Sequence, residues 1–110
     1  DIGHAVQTVV EGAGYTVIPD LTGHGIGEEM HEQPYITNYG TPGKGFQLKA
    51  GMTIAIEPII CVGKPEIETL DDDWTIVTED GSLSMQHEHT VLVTKTGFEV
   101  LSLRPGEKML

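Results

Sequence analysis

Residues 52 to 60, which read Met-Thr-Ile-Ala-Ile-Glu-Pro-Ile-Ile, constrain the fold of this chain more than any other segment. Alternate side chains of a strand point to opposite faces, and here both faces are almost wholly apolar. This pattern is typical of a strand that is buried on both sides. Glu57 is the exception, because a buried ionised carboxylate costs several kcal/mol unless it is paired or bound to a metal ion. Two interpretations remain open at this point: Glu57 is such a buried ligand, or its face is solvated or meets a lysine.

Short β-branched segments separated by turns dominate the rest of the chain, and one amphipathic helix precedes them. This order predicts an α+β fold in which one helix packs against an antiparallel sheet. We expect residues 1–110 to form a single domain. The predicted helix covers residues 2–13; the predicted strands cover residues 15–18, 52–60, 66–69, 74–78, 84–94 and 98–103; residues 22–27 and 31–50 are expected to be loops.

Composition excludes several classes of function. The net charge is -11 and only six residues are Lys or Arg, so no nucleic-acid partner is expected, because phosphate contacts need clustered cations. No apolar run approaches the roughly 18 residues that span a bilayer, so no membrane association is expected. Cys61 is the single cysteine and is predicted to be a small buried residue. A reducing compartment, the cytoplasm, is therefore expected.

Glu88 repeats the anomaly of Glu57 in the predicted strand 84–94. Two buried carboxylates repel each other, and divalent cations are the usual remedy. Alternation predicts that Glu88 shares its face with Gln86, Thr90 and Leu92, and that the other face carries His87, His89, Val91 and Val93.

Two histidines supply the remaining candidate ligands. His24 stands between glycines in Gly-His-Gly-Ile-Gly, residues 23–27, and His31 follows closely, with Pro34 after it. A lone histidine in a loop is more often a polar surface residue than a ligand. Together with two anomalous glutamates, however, these histidines favour a metal site. Imidazole and carboxylate ligands suit Mn, Fe, Co or Zn better than Ca or Mg.

In their order along the chain, these segments resemble the type I methionine aminopeptidases of the pita-bread metallopeptidase group. GHGIG alone is weak evidence, because related proline-specific peptidases share it. Glu88-His89-Thr90, with Trp74 upstream, points more specifically to the methionine branch. The matching stretches are GHGIG (23–27), HEQP (31–34), GMTIAIEPII (51–60), DWTIVTEDGSLSMQHEHTVLVT (73–94) and GFEVLS (97–102).

The resemblance implies a fold and a metal centre. The fold is half of a pita-bread domain, an antiparallel curved sheet with a helix on one face. The centre holds two divalent metal ions (Mn, Fe, Co or Zn). His24 would bind one metal, Glu57 would bind the same metal and shuttle a proton, and Glu88 would bridge both metals.

The resemblance also implies residues that contact the substrate. His31 would contact the scissile peptide as a catalytic residue. Trp74 would line the pocket for the methionine side chain, with Met30 near it. The other histidines, His4, His87 and His89, are expected to be structural, although His89 is a candidate partner for a metal ligand.

Taken together, the resemblance implies removal of N-terminal methionine from new polypeptides in the cytoplasm by a metal-activated water. It also implies that the N-terminal half of the site, with two Asp ligands and a further His, is missing from this chain. The piece alone is then expected to have little activity and to expose an apolar patch. Two alternatives remain: a proline-specific peptidase of the same fold, and a non-catalytic module that binds peptides or partners.

Overall fold

The computed structural model describes residues 1–107, and it confirms the predicted α+β class. One helix, α1, is followed by short strands that pair antiparallel. Among the described residues no helix is both long and apolar enough to cross a bilayer. The elements are α1 (Ile2–Gly12), β1 (Thr16–Val17), β2 (Gly23–Ile26), β3 (Glu32–Ile36), β4 (Thr53–Ile56), β5 (Ile59–Cys61), β6 (Ile67–Thr69), β7 (Ile76–Thr78), β8 (Ser84–Gln86), β9 (His89–Val93) and β10 (Phe98–Val100).

The strands form three sheets. A five-stranded sheet has the order β10-β9-β4-β2-β3, a three-stranded sheet has the order β1-β5-β8, and β6 pairs with β7. The first two sheets are connected twice, because the chain leaves β4 to enter β5 and leaves β8 to enter β9. These two crossings lie opposite each other, since β4 pairs with β9 and β5 pairs with β8.

The core lies on one face of the five-stranded sheet. Ile36, Ile54 and Val91 are buried together, and Ile2 from the start of α1 packs against them. Fully burying an aliphatic side chain of this size stabilises a fold by roughly 1.5–3 kcal/mol. The prediction that residues 52–60 are buried on both faces is confirmed in the centre of the segment, where Ile54 and Ala55 are 1% and 0% exposed.

Two expected loops contain strands. β2 lies within the glycine-rich residues 22–27, and β3 lies within residues 31–50. Glycine at position 23 allows the backbones of β2 and β4 to lie close together, because a side chain there would overlap the carbonyl oxygen of Ala55 in β4. β3 tolerates Pro34 because it lies at the edge of the sheet, where a missing N–H breaks no central ladder.

The predicted strands 52–60 and 84–94 are each interrupted. The register is the same on both sides of the interruption: Ile56 pairs with His89, and Ile59 pairs with Gln86. Pro58 explains the interruption because it has no N–H to donate to the ladder. Each long strand therefore bends from one sheet into the other.

Candidate metal centre

His24 occupies an interior strand of the five-stranded sheet. It pairs with Ala55 of β4 on one side and with Tyr35 of β3 on the other, and it is 9% exposed. Glycines on either side of it let both neighbouring backbones approach closely, as described for Gly23. The sheet therefore holds the backbone of His24 rigidly and leaves its imidazole little freedom.

Glu57 and Glu88 lie opposite each other at the bend between the two sheets. The shared register places Glu57 across from Glu88 and Pro58 across from His87, whose N–H donates to the Pro58 carbonyl at 3.2 Å. Glu57 is half-buried, with its side chain 15% exposed, which agrees with the first of the two interpretations left open by the sequence. Glu88, however, is exposed and lies outside the strands, so the prediction of a buried strand position for it is wrong. The bend turns Glu88 out of the apolar layer.

The hydrogen bond of His24 determines which ring nitrogen is available. Nδ1 lies 2.9 Å from the carbonyl oxygen of Gly25, which can only accept, so Nδ1 carries a proton. In the neutral ring Nε2 is then an acceptor, and it faces Oε2 of Glu57 at 3.2 Å. Two acceptors at this distance need a proton or a metal cation between them. A backbone carbonyl that fixes the ring in this way is typical of metal-binding histidines.

The electrostatics of Glu57 lead to the same conclusion. Burial raises the pKa of the Glu57 carboxyl, and the nearby negative charge of Glu88 raises this pKa further, while His24 acts in the opposite direction. The pair of carboxylates therefore favours a positive charge at the bend.

One cation can contact all three candidate ligands. His24, Glu57 and Glu88 each offer an atom, and these atoms lie within 4.8 Å of one another. The structure thus brings together the three metal ligands that the sequence predicts. A set of one imidazole and two carboxylates is suited to first-row divalent ions.

His31 lies close to this group, whereas Met30 and Trp74 are exposed. The rings of His31 and His24 are edge to face, with centroids 4.3 Å apart, and His31 is exposed. Met30 is 71% exposed, and Trp74, on the connection between β6 and β7, is 85% exposed. Their role in substrate binding remains a prediction.

Asn38 is a residue of the site that the sequence analysis missed. It is 1% exposed, and its amide Nδ2 donates to the carbonyl of Glu57 at 3.3 Å and to that of Leu21 at 3.4 Å. Asn38 thus holds the backbone at the bend. No sequence signal distinguishes it, because it lies among the polar residues that follow β3.

Comparison with known proteins agrees with this geometry. The model of metallopeptidase family M24 matches residues 1–95. The methionine aminopeptidase of Clostridium acetobutylicum is 50% identical over 103 residues, which are 94% of this chain and 41% of that protein. Methionine aminopeptidase 1 of Bacillus subtilis is 46% identical over 102 residues, 93% of this chain and 41% of that protein. The chain therefore spans about two-fifths of the length of these relatives.

Solved structures show the same similarity. Crystal structures of methionine aminopeptidases from Rickettsia prowazekii and Thermotoga maritima each superpose with a TM-score of 0.90 at 48% identity. In both cases the match covers 94% of this chain and 42% of the other chain. The resemblance and the pita-bread architecture inferred from the sequence motifs are confirmed.

Proposed function

The chain belongs to metallopeptidase family M24, and from this premise we propose that it is the C-terminal part of an enzyme that removes N-terminal methionine from new polypeptides in the cytoplasm. The observation that carries the proposal is the convergence of His24, Glu57 and Glu88 at the bend between two sheets. The relatives and solved structures named above are methionine aminopeptidases, and this supports the proposed substrate.

His24, Glu57 and Glu88 would hold the metal ions. The donor set fits divalent cations of the Mn, Fe, Co or Zn type, because the imidazole Nε2 and the Glu57 carboxylate oxygen face each other as acceptors. When bound, such ions supply an acidified water and polarise the substrate carbonyl. We propose that two ions would bind here and that Glu88 would be a ligand of both.

The side chains of this chain then perform the remaining steps. Glu57, whose pKa is raised by burial, accepts a proton and delivers it to the leaving nitrogen of the peptide. His31, exposed beside His24, donates a hydrogen bond to the reacting carbonyl group. Trp74 and Met30 would cover the methionine side chain.

The rest of the site would come from a region outside this sequence. This chain corresponds to about 41% of the length of its relatives. An apolar groove of about 570 Å³, lined by residues including Ile54, Val91, Val93 and Phe98, lies on the five-stranded sheet. We propose that the N-terminal half completes the centre, and that this chain alone has little activity.

A chimera tests this function. The chain would replace the matching segment of the Bacillus subtilis relative, to which it aligns over 102 residues. We expect release of methionine from Met-Ala-Ser that requires Mn²⁺ or Co²⁺ and stops with chelator. Ala-Pro-Ser, offered in parallel, should stay intact; its cleavage in preference to Met-Ala-Ser would favour the proline-specific alternative.

Glu57→Gln in the chimera provides the decisive variant, and Glu68→Gln on the exposed strand β6 provides its matched control. We expect Glu57→Gln to lose turnover and Glu68→Gln to retain it. A folded, metal-loaded chimera without methionine release would refute the proposed enzyme and favour a binding module. Unchanged turnover in Glu57→Gln would refute the role of Glu57.

A further inference from the structure

A second cluster of side chains that could hold a metal ion lies on the other side of the chain segment that carries Glu88. His87, His89 and Glu107 each offer a ligand atom, and these atoms lie within 4.8 Å of one another. His87 and His89 line the apolar groove together with Val91. Glu88, between the two histidines in sequence, points instead to the group formed with His24 and Glu57.

His89 and Glu107, the two partly buried members of this cluster, are each oriented by hydrogen bonds of their own. Nδ1 of His89 lies 2.9 Å from the hydroxyl of Ser102, which leaves Nε2 directed at Glu107. Ser102 is held in turn by the backbone N–H of Thr90 at 2.9 Å. Fixing one ring nitrogen of a histidine by a hydrogen bond is how proteins prepare the other nitrogen for a metal ion.

The carboxylate of Glu107 is oriented in the same way. Oε1 accepts from the side chain of Arg104 at 2.7 Å and from its backbone N–H at 2.8 Å. The hydrogen bond from the Arg104 side chain lowers the pKa of Glu107 to about 2, so the carboxylate is ionised at neutral pH. The second oxygen, Oε2, faces both imidazoles.

The distances suit a tetrahedral ion. Oε2 of Glu107 lies 2.9 Å from Nε2 of His89 and 3.9 Å from Nε2 of His87. Ligand atoms in a tetrahedral zinc site are about 3.4 Å apart, given bonds of about 2.0–2.1 Å. The two observed distances lie on either side of this value, and the ring of His87, whose side chain is 49% exposed, has room to rotate.

We propose that His87, His89 and Glu107 bind one Zn²⁺ ion, separate from the candidate metal centre, with water as the fourth ligand. Two imidazoles and one carboxylate are a common set of protein ligands for Zn²⁺. The ion would attach the segment that contains Arg104 and Glu107 to β9. This inference does not depend on the proposed peptidase function.

Zinc counting by equilibrium dialysis and elemental analysis tests the proposal. We use purified protein with His24→Ala and Glu57→Gln, which removes the candidate metal centre. This protein is expected to retain one Zn²⁺. Addition of His87→Asn and Glu107→Gln should abolish the retained ion, whereas addition of His4→Asn, a control on α1, should leave it bound.

Histidine ring signals in the NMR spectrum of the unaltered protein provide a measurement that does not depend on the variants. Zn²⁺ should shift the signals of His87 and His89 at one equivalent per site and leave those of His4 in place. No bound Zn²⁺ in the His24→Ala and Glu57→Gln protein, together with unshifted His87 and His89 signals, would overturn the proposal. Retention of the ion after His87→Asn and Glu107→Gln would also overturn it.

Discussion

Replacing Glu88 with glutamine removes one of the two negative charges that face each other at the bend. The resulting change in the free energy of unfolding should have opposite signs in the absence and in the presence of a divalent metal ion. In chelator Glu88 repels Glu57, with carboxylate oxygens within 4.8 Å of a common imidazole nitrogen and of each other. At 4.8 Å, the largest separation that this allows, the Coulomb energy is about 0.9 kcal/mol in water and about 3.5 kcal/mol at an effective dielectric constant of 20. Because Glu88 is exposed, the lower figure applies. We therefore expect Glu88→Gln to raise the free energy of unfolding by about 1 kcal/mol.

With a divalent cation the same substitution should destabilise the protein. An ion present at 100 times its dissociation constant adds about 2.7 kcal/mol to the free energy of unfolding. If loss of the Glu88 ligand weakens binding about 100-fold, the ion adds only about 0.4 kcal/mol. The expected loss of metal stabilisation is therefore about 2.3 kcal/mol, which exceeds the gain from relieved repulsion.

Urea unfolding followed by far-UV circular dichroism, in EDTA and in Mn²⁺, measures both effects. Fluorescence is a poorer probe, because the single tryptophan, Trp74, is 85% exposed. Glu68→Gln on β6 is the matched control and should respond equally in both buffers. A loss of stability in EDTA, or the same change in EDTA and Mn²⁺, would refute the argument that Glu88 is a ligand held beside a like charge.

Substitutions at Gly23 and Asp80 test the packing and the electrostatics of other parts of the fold. Gly23→Ala should lower the free energy of unfolding by about 1–3 kcal/mol, because its methyl group overlaps the backbone of the adjacent strand. Gly12→Ala, which meets open space at the end of α1, should stabilise by about 0.5–1 kcal/mol, and equal costs at both glycines would contradict the packing argument. Asp80 has a pKa lowered to about 2, first by a hydrogen bond from the Lys64 N–H, against an ordinary value of 3.8. Its stabilising contribution is complete above that ordinary value and is lost as pH falls through about 2. Asp80→Asn should therefore reduce the acid dependence of the urea midpoint between pH 5 and 2, and an unchanged dependence in this variant would refute the argument.

Local sequence pattern was sufficient to predict the parts of the structure that depend on periodicity. The alternation in residues 52–60 predicts the buried strand at Ile54 and Ala55, because the side-chain period of two holds wherever a strand is paired on both sides. The amphipathic pattern of residues 2–13 predicts α1 for the same kind of reason. His24, Glu57 and Glu88 were identifiable because polar residues there conflict with their neighbours or match a known motif.

Tertiary structure alone decided how these residues meet. β2 is a strand because backbones from β3 and β4 close around Gly23 and Gly25, and a run of glycines carries no periodicity that reveals such contacts. The bend that exposes Glu88 arises where Pro58 interrupts the ladder and two sheets share one strand pair, a relation between segments about 30 residues apart. The sequence specifies which side chains are present. Which of their metal-ligand atoms come together depends on strand register and bending, which are properties of paired strands.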